Sequence, residues 1–99
     1  MAKLTEAEIR AALQEIPGWV NQDGKLTKTF SHASFPEAIV FVNATAHLAE
    51  LANHHPDIDI RYSNITLALV THDQGGITAK DVNLAREIED IRRRAGVPA

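Results

Sequence analysis

Residues 57–70 read Asp57-Ile58-Asp59-Ile60-Arg61-Tyr62-Ser63-Asn64-Ile65-Thr66-Leu67-Ala68-Leu69-Val70. Ile58, Ile60 and Tyr62 alternate with Asp57, Asp59 and Arg61; after the turn-prone pair Ser63-Asn64, Ile65, Leu67 and Leu69 alternate with Thr66, Ala68 and Val70. Successive side chains of an extended chain point to opposite faces, so each half predicts a strand with one apolar face. Strands grouped in this way, without β-α-β alternation, favour an antiparallel sheet covered by helices on one side.

The flanking sequence agrees. Trp19-Val20, the turn residues Asn21 to Gly24, and Leu26 to Ser31 read as an earlier strand, turn and strand. Thr5 with Glu8, Ser34 with Glu37 and Thr78 with Asp81 each fit the capping box, in which two side chains satisfy orphan backbone donors at a helix start. Three boxes predict three helices. The first carries Ile9, Ala12, Leu13 and Ile16 before Pro17-Gly18; the third carries Val82, Ala85, Ile88 and Ile91 before Gly96 and Pro98. The order is α-β-β-α-β-β-α, an α+β domain expected to occupy residues 1–99.

Composition narrows the function classes. The net charge of -3 gives no positive field for phosphate binding, so direct nucleic-acid binding is not expected. No apolar run approaches the roughly 20 residues of a membrane span. The absence of cysteine excludes disulfides, thiolate metal sites and a cysteine nucleophile. The opening Met1-Ala2-Lys3-Leu4-Thr5 lacks a signal peptide's apolar core, and the expected location is the cytoplasm.

Chemistry concentrates after the middle helix, about Phe35 to Asn53. At about 100° per residue, Phe35, Ala38, Ile39, Phe41, Val42, Ala46, Leu48, Ala49 and Ala52 cover roughly half of its circumference. That arc is broader than one sheet needs and predicts a subunit interface. Asn43, His47, Glu50 and His54 form a narrow polar stripe, in which Glu50 can reach His54 one turn on. Pro56 pushes the residue before it out of the α region, so His55 leaves the helix while His54 stays near its last turn. A helix C-terminus favours imidazolium, which suits His54 to act as an acid. His72 lies in Thr71-His72-Asp73, on the Val70 face of the last predicted strand and before the turn at Gly75-Gly76. Imidazole is the side chain that ordinarily changes charge near neutral pH, so three that converge suit proton transfer. A metal site is the competing reading, but no His-x-x-x-His pair lies on a helix, and no metal is expected.

Glu50, three residues, His54-His55-Pro56, five residues, Tyr62, nine residues, His72, eight residues, Asp81: this spacing resembles the signature of the pterin-4a-carbinolamine dehydratases. The resemblance runs from Trp19 through Gly76-Ile77-Thr78 to Asp81. It implies a four-stranded antiparallel sheet with three helices on one face, assembled as a homodimer or homotetramer. It also implies dehydration of a 4a-hydroxytetrahydropterin without a cofactor, in tetrahydropterin recycling. His54, His55 and His72 would be the catalytic set, with Glu50 in support. Asn53, Thr71 and Asp73 would grip the polar edges of the pterin, and Trp19 would form an apolar wall. Asn53 departs from the aspartate of animal members. Asp81 belongs to the signature, but its capping box already explains it and it is not counted as catalytic. Some relatives are partner proteins, a transcriptional coactivator or an enzyme-assembly factor, which is the alternative reading.

Overall fold

Caps and turns set the element boundaries in the computed structural model, which describes residues 2–98. Helix α1 (Glu6–Leu13) starts at a complete capping box: Thr5 Oγ1 accepts from the Glu8 amide at 3.1 Å, and the Glu8 carboxylate accepts from the Thr5 amide at 2.8 Å. It ends sooner than its periodicity predicts, and Ile16 is buried from the loop beyond it. Helix α2 (Phe35–Ala52) has half of the expected box, with Ser34 accepting from the Glu37 amide and Pro36 in the first turn. Helix α3 (Ala79–Arg94) has the complete box of Thr78 and Asp81.

Four antiparallel strands, β1 (Val20–Gln22), β2 (Lys25–Ser31), β3 (Asp57–Arg61) and β4 (Asn64–Leu69), lie in the order β1-β2-β4-β3. The α+β fold class and the order α-β-β-α-β-β-α are as expected. One turn is tighter than predicted and another is shifted by one residue. The first is Asp23-Gly24, both left-handed at φ 53 and 83, the geometry a two-residue hairpin needs. The second is Tyr62-Ser63 rather than Ser63-Asn64, because Asn64 pairs with Arg61 across the hairpin and with Ser31 on β2. Its side chain also accepts from the Ser31 hydroxyl at 2.9 Å. Tyr62 is thereby held at φ 53, a conformation uncommon for a bulky residue.

One face of the sheet forms the core. Leu26 and Phe30 of β2 and Ile65, Leu67 and Leu69 of β4 meet Ala38, Phe41 and Ala49 of α2 and Val82, Leu84, Ala85 and Ile88 of α3. Lys28 falls between Leu26 and Phe30 on this same face and is buried. Its ammonium donates to Glu89 at 2.8 Å and to the Pro17 carbonyl at 2.6 Å. Gly18 is required beside it, at φ 82, since an added Cβ would lie 2.8 Å from the Lys28 side chain. Among the described residues no helix is long and apolar enough to cross a membrane.

Candidate active site

The end of α2 sets the first two imidazoles apart. Asn53 adopts the left-handed conformation (φ 49, ψ 43), and its amide and that of His54 return to the carbonyls at the helix end, including Ala49. Asparagine tolerates this conformation better than most residues, so position 53 reverses the chain and ends the helix. His54 is therefore directed inward and His55 outward. The His54 side chain is 10% exposed and that of His55 60% exposed.

His54 Nε2 lies 2.5 Å from Oδ1 of Asp81, a fully buried residue in the first turn of α3. A carboxylate only accepts, so Nε2 carries the hydrogen and Nδ1 is left for other chemistry. The other carboxylate oxygen accepts from the Thr71 hydroxyl at 2.9 Å and from the Thr78 amide at 2.8 Å. Asp81 is both the helix cap expected from the sequence and the orienter of His54, a second role the sequence reading left out. Its place in the signature was the available signal.

Glu50 does not hold His54. Its carboxylate lies 2.9 Å from His55 Nε2 instead, because the reversal at Asn53 turns His55 back along α2 while Asp81 occupies His54. The strand expected to carry His72 stops at Leu69, and His72 opens a short 3-10 turn (His72–Gln74). Bonds between the main chains of Thr71 and Gly76 close that turn into a tight loop.

A cleft of about 350 Å³ is lined by Asn53, His54, His55, Val70, Thr71, His72, Asp73 and Lys80. The three signature histidines share it, and so do Asn53, Thr71 and Asp73. Lys80, an exposed cation at its rim, was missed because nothing in the signature marks it. Trp19 does not join the cleft: it is buried against Phe30, and its indole donates to Glu89 at 2.9 Å. The hydroxyl of Thr71 is already committed to Asp81. Among the described residues no cluster of three or more His, Asp or Glu side chains is arranged to hold a metal ion.

A more apolar cavity of about 270 Å³ lies between α2 and the end of α3, lined by residues including His32, Val40, Phe41, Ile91 and Val97. Burial lowers the pKa of His32 below 6.5, against an opposing pull from Glu37. With one imidazole and one carboxylate, those of His32 and Glu37, it offers less acid-base chemistry, and the three-histidine cleft is the candidate site.

Fold and cleft define a class of protein, a small α+β domain presenting clustered imidazoles where a helix end meets a sheet. Comparison with known proteins narrows the class. The sequence profile of the family described as "Pterin 4 alpha carbinolamine dehydratase" matches residues 2–91. A protein of Roseiflexus sp. (strain RS-1) is 52% identical over 89 residues, 90% of this chain and 96% of its own length. One of Thermomicrobium roseum is 50% identical over 91 residues, 92% of this chain and 98% of its own. Both carry the name "Putative pterin-4-alpha-carbinolamine dehydratase". A crystal structure from Brucella melitensis, described as a transcriptional coactivator/pterin dehydratase, superimposes with a TM-score of 0.85 at 34% identity, covering 90% of this chain and 97% of that one. A pterin dehydratase-like RuBisCO assembly factor of the alpha-carboxysome shares the fold at a TM-score of 0.60 and 20% identity, covering 74% of this chain and 84% of that one. The chain belongs to the pterin-4a-carbinolamine dehydratase family.

Proposed function

We propose that this protein dehydrates a 4a-hydroxytetrahydropterin to the quinonoid dihydropterin by histidine acid-base catalysis, in the cytoplasm and without a cofactor or metal. The observation that carries the reading is the shared cleft of His54, His55 and His72, with His54 oriented by a buried carboxylate. In the reaction the C4a–O bond breaks and the adjacent ring nitrogen loses its proton to form the C4a=N bond. Hydroxide is a poor leaving group, so one imidazole protonates the departing oxygen while another accepts the nitrogen proton. Water and the quinonoid ring are the products, and the two transfers balance.

Nδ1 of His54, with Nε2 tied to Asp81, accepts a proton when the ring is neutral and donates one when it is charged. His55, backed by Glu50, and His72, on its closed loop, flank the same space. Asn53 and Asp73 offer polar atoms to the amide and amino edges of the pterin. Single replacement of His54, His55 or His72 by alanine is expected to lower kcat by about 10²–10⁴-fold. The check is stopped-flow absorbance of a freshly generated 4a-hydroxytetrahydropterin with and without protein.

Partner binding is the second reading, favoured by exposed apolar residues on α2, with Val40 at 68% and Leu51 at 73%. Together with Ala44 and His47 they follow a four, three, four spacing, which places them on one face of the helix. Self-association as a homodimer or homotetramer would cover that face. If wild-type protein fails to hasten decay of the carbinolamine, the partner-protein reading replaces the enzymatic one.

A further inference from the structure

We propose that Thr71 is a positioning residue that fixes the ring of His54 through Asp81, on which hydrogen bonds from both sides converge; this rests on the dehydratase reading. The direction follows by elimination. As a carboxylate Asp81 only accepts, so the Thr71 hydroxyl, 2.9 Å from Oδ2, donates to it. Having spent its hydrogen, Thr71 Oγ1 accepts from the hydroxyl of Thr78 at 2.8 Å. Thr78 Oγ1 in turn accepts from the Lys80 amide at 3.2 Å. Each hydroxyl thus donates once and accepts once, and from the other side Nε2 of His54 donates to Asp81 Oδ1 at 2.5 Å, so both arms converge on the carboxylate.

Three features make this a device for positioning rather than incidental bonding. Thr71, Thr78 and Asp81 are 3%, 0% and 0% exposed, so water does not readily replace a missing partner. The main chain of Thr71 is itself held, since its amide donates to the Gly76 carbonyl at 3.0 Å and its carbonyl accepts from the Gln74 amide at 3.1 Å. Finally, the same loop carries His72, so the residue that steadies the carboxylate behind one imidazole also begins the turn that holds another. Side chains in a catalytic cluster need positioning to a fraction of an ångström, and a displacement of about 1 Å can cost about 10²-fold in rate.

The test compares Thr71→Val, which keeps the branched shape without the donor, with Thr71→Ser, which keeps the donor. Thr71→Val is expected to lower kcat for carbinolamine dehydration by about 10–100-fold with KM little changed, and Thr71→Ser to restore most of it. The ring ¹⁵N spectrum of His54 gives a second readout. Wild type should show the Nε2–H tautomer alone, Thr71→Val a mixture, and Thr71→Ser the wild-type pattern. A merely structural threonine would lower Tm and leave the tautomer unchanged. Should Thr71→Val not fold, Thr71→Ala, which also lacks the hydroxyl and adds no bulk, is read in the same way. A variant without the hydroxyl that retains both wild-type kcat and a single tautomer overturns the proposal. If wild type has no dehydratase activity, the function fails separately, and an unchanged tautomer in the variant then overturns the positioning role of Thr71.

Discussion

Two buried atoms without partners show how individual residues tax this fold. His32 Nε2 and Thr45 Oγ1 are enclosed with no hydrogen-bond partner among the described residues. A buried hydroxyl left unpaired costs about 1–3 kcal/mol, while valine has nearly the same shape. Thr45→Val on α2 is therefore expected to stabilise the protein by about 1 kcal/mol. The change should appear as a higher urea midpoint at constant m-value, and a lower midpoint would contradict it. Asn53 and Tyr62 differ in how far sequence exposes them. An asparagine closing a helical run before histidine and proline has a local explanation in the left-handed cap. A tyrosine at φ 53 does not, because the register across β3 and β4, rather than any preference of tyrosine, sets its conformation.

Contacts between elements depend on ion pairing as well as apolar packing. Glu89 of α3 is 2% exposed and accepts from Trp19, from Lys28 of β2 at 2.8 Å and from Arg92 at 2.6 Å. Arg92 also donates to the Val97 carbonyl at 2.8 Å, which fastens the segment after α3. Burial alone would raise the Glu89 pKa, but the bonds from Lys28, Arg92 and Trp19 and the charge of Lys28 outweigh it and hold the carboxyl below 4.5. A depressed carboxyl contributes stability above its unfolded value, and that contribution is lost as pH falls through the folded value. Glu89→Gln leaves two buried cations without their counter-ion, and removing one partner of a buried pair costs about 3–5 kcal/mol. Denaturation at pH 7 should show that loss, and the gap from wild type should narrow as pH drops below the ordinary glutamate range. A gap independent of pH would mean that the carboxylate charge is not what is lost. At this scale the capping boxes and alternating strands were readable because they are local patterns. Lys28 and Trp19 were not, since their partner lies 61 and 70 residues away.

The whole molecule leaves part of its apolar surface uncovered. Besides Val40 and Leu51 on α2, Ile60 on the edge strand β3 is 45% exposed, although it pairs with Ile65 on the core side of the sheet. Leu51→Glu should therefore shift sedimentation toward the monomer while leaving the circular dichroism spectrum unchanged. A wild-type protein that sediments as a monomer at micromolar concentration would refute the proposed self-association.

The chain's order of helices and strands, its two hairpins and its three signature histidines were all legible from sequence. They depend on periodicity, capping and short turns, which act over a few residues and leave a local trace. Only tertiary structure decided how these side chains are held: Asp81 rather than Glu50 backs His54, Glu50 turns to His55, and Trp19 belongs to the core. Those choices depend on side-chain direction at a helix reversal and on which buried groups need a partner. Both are settled when distant segments pack together.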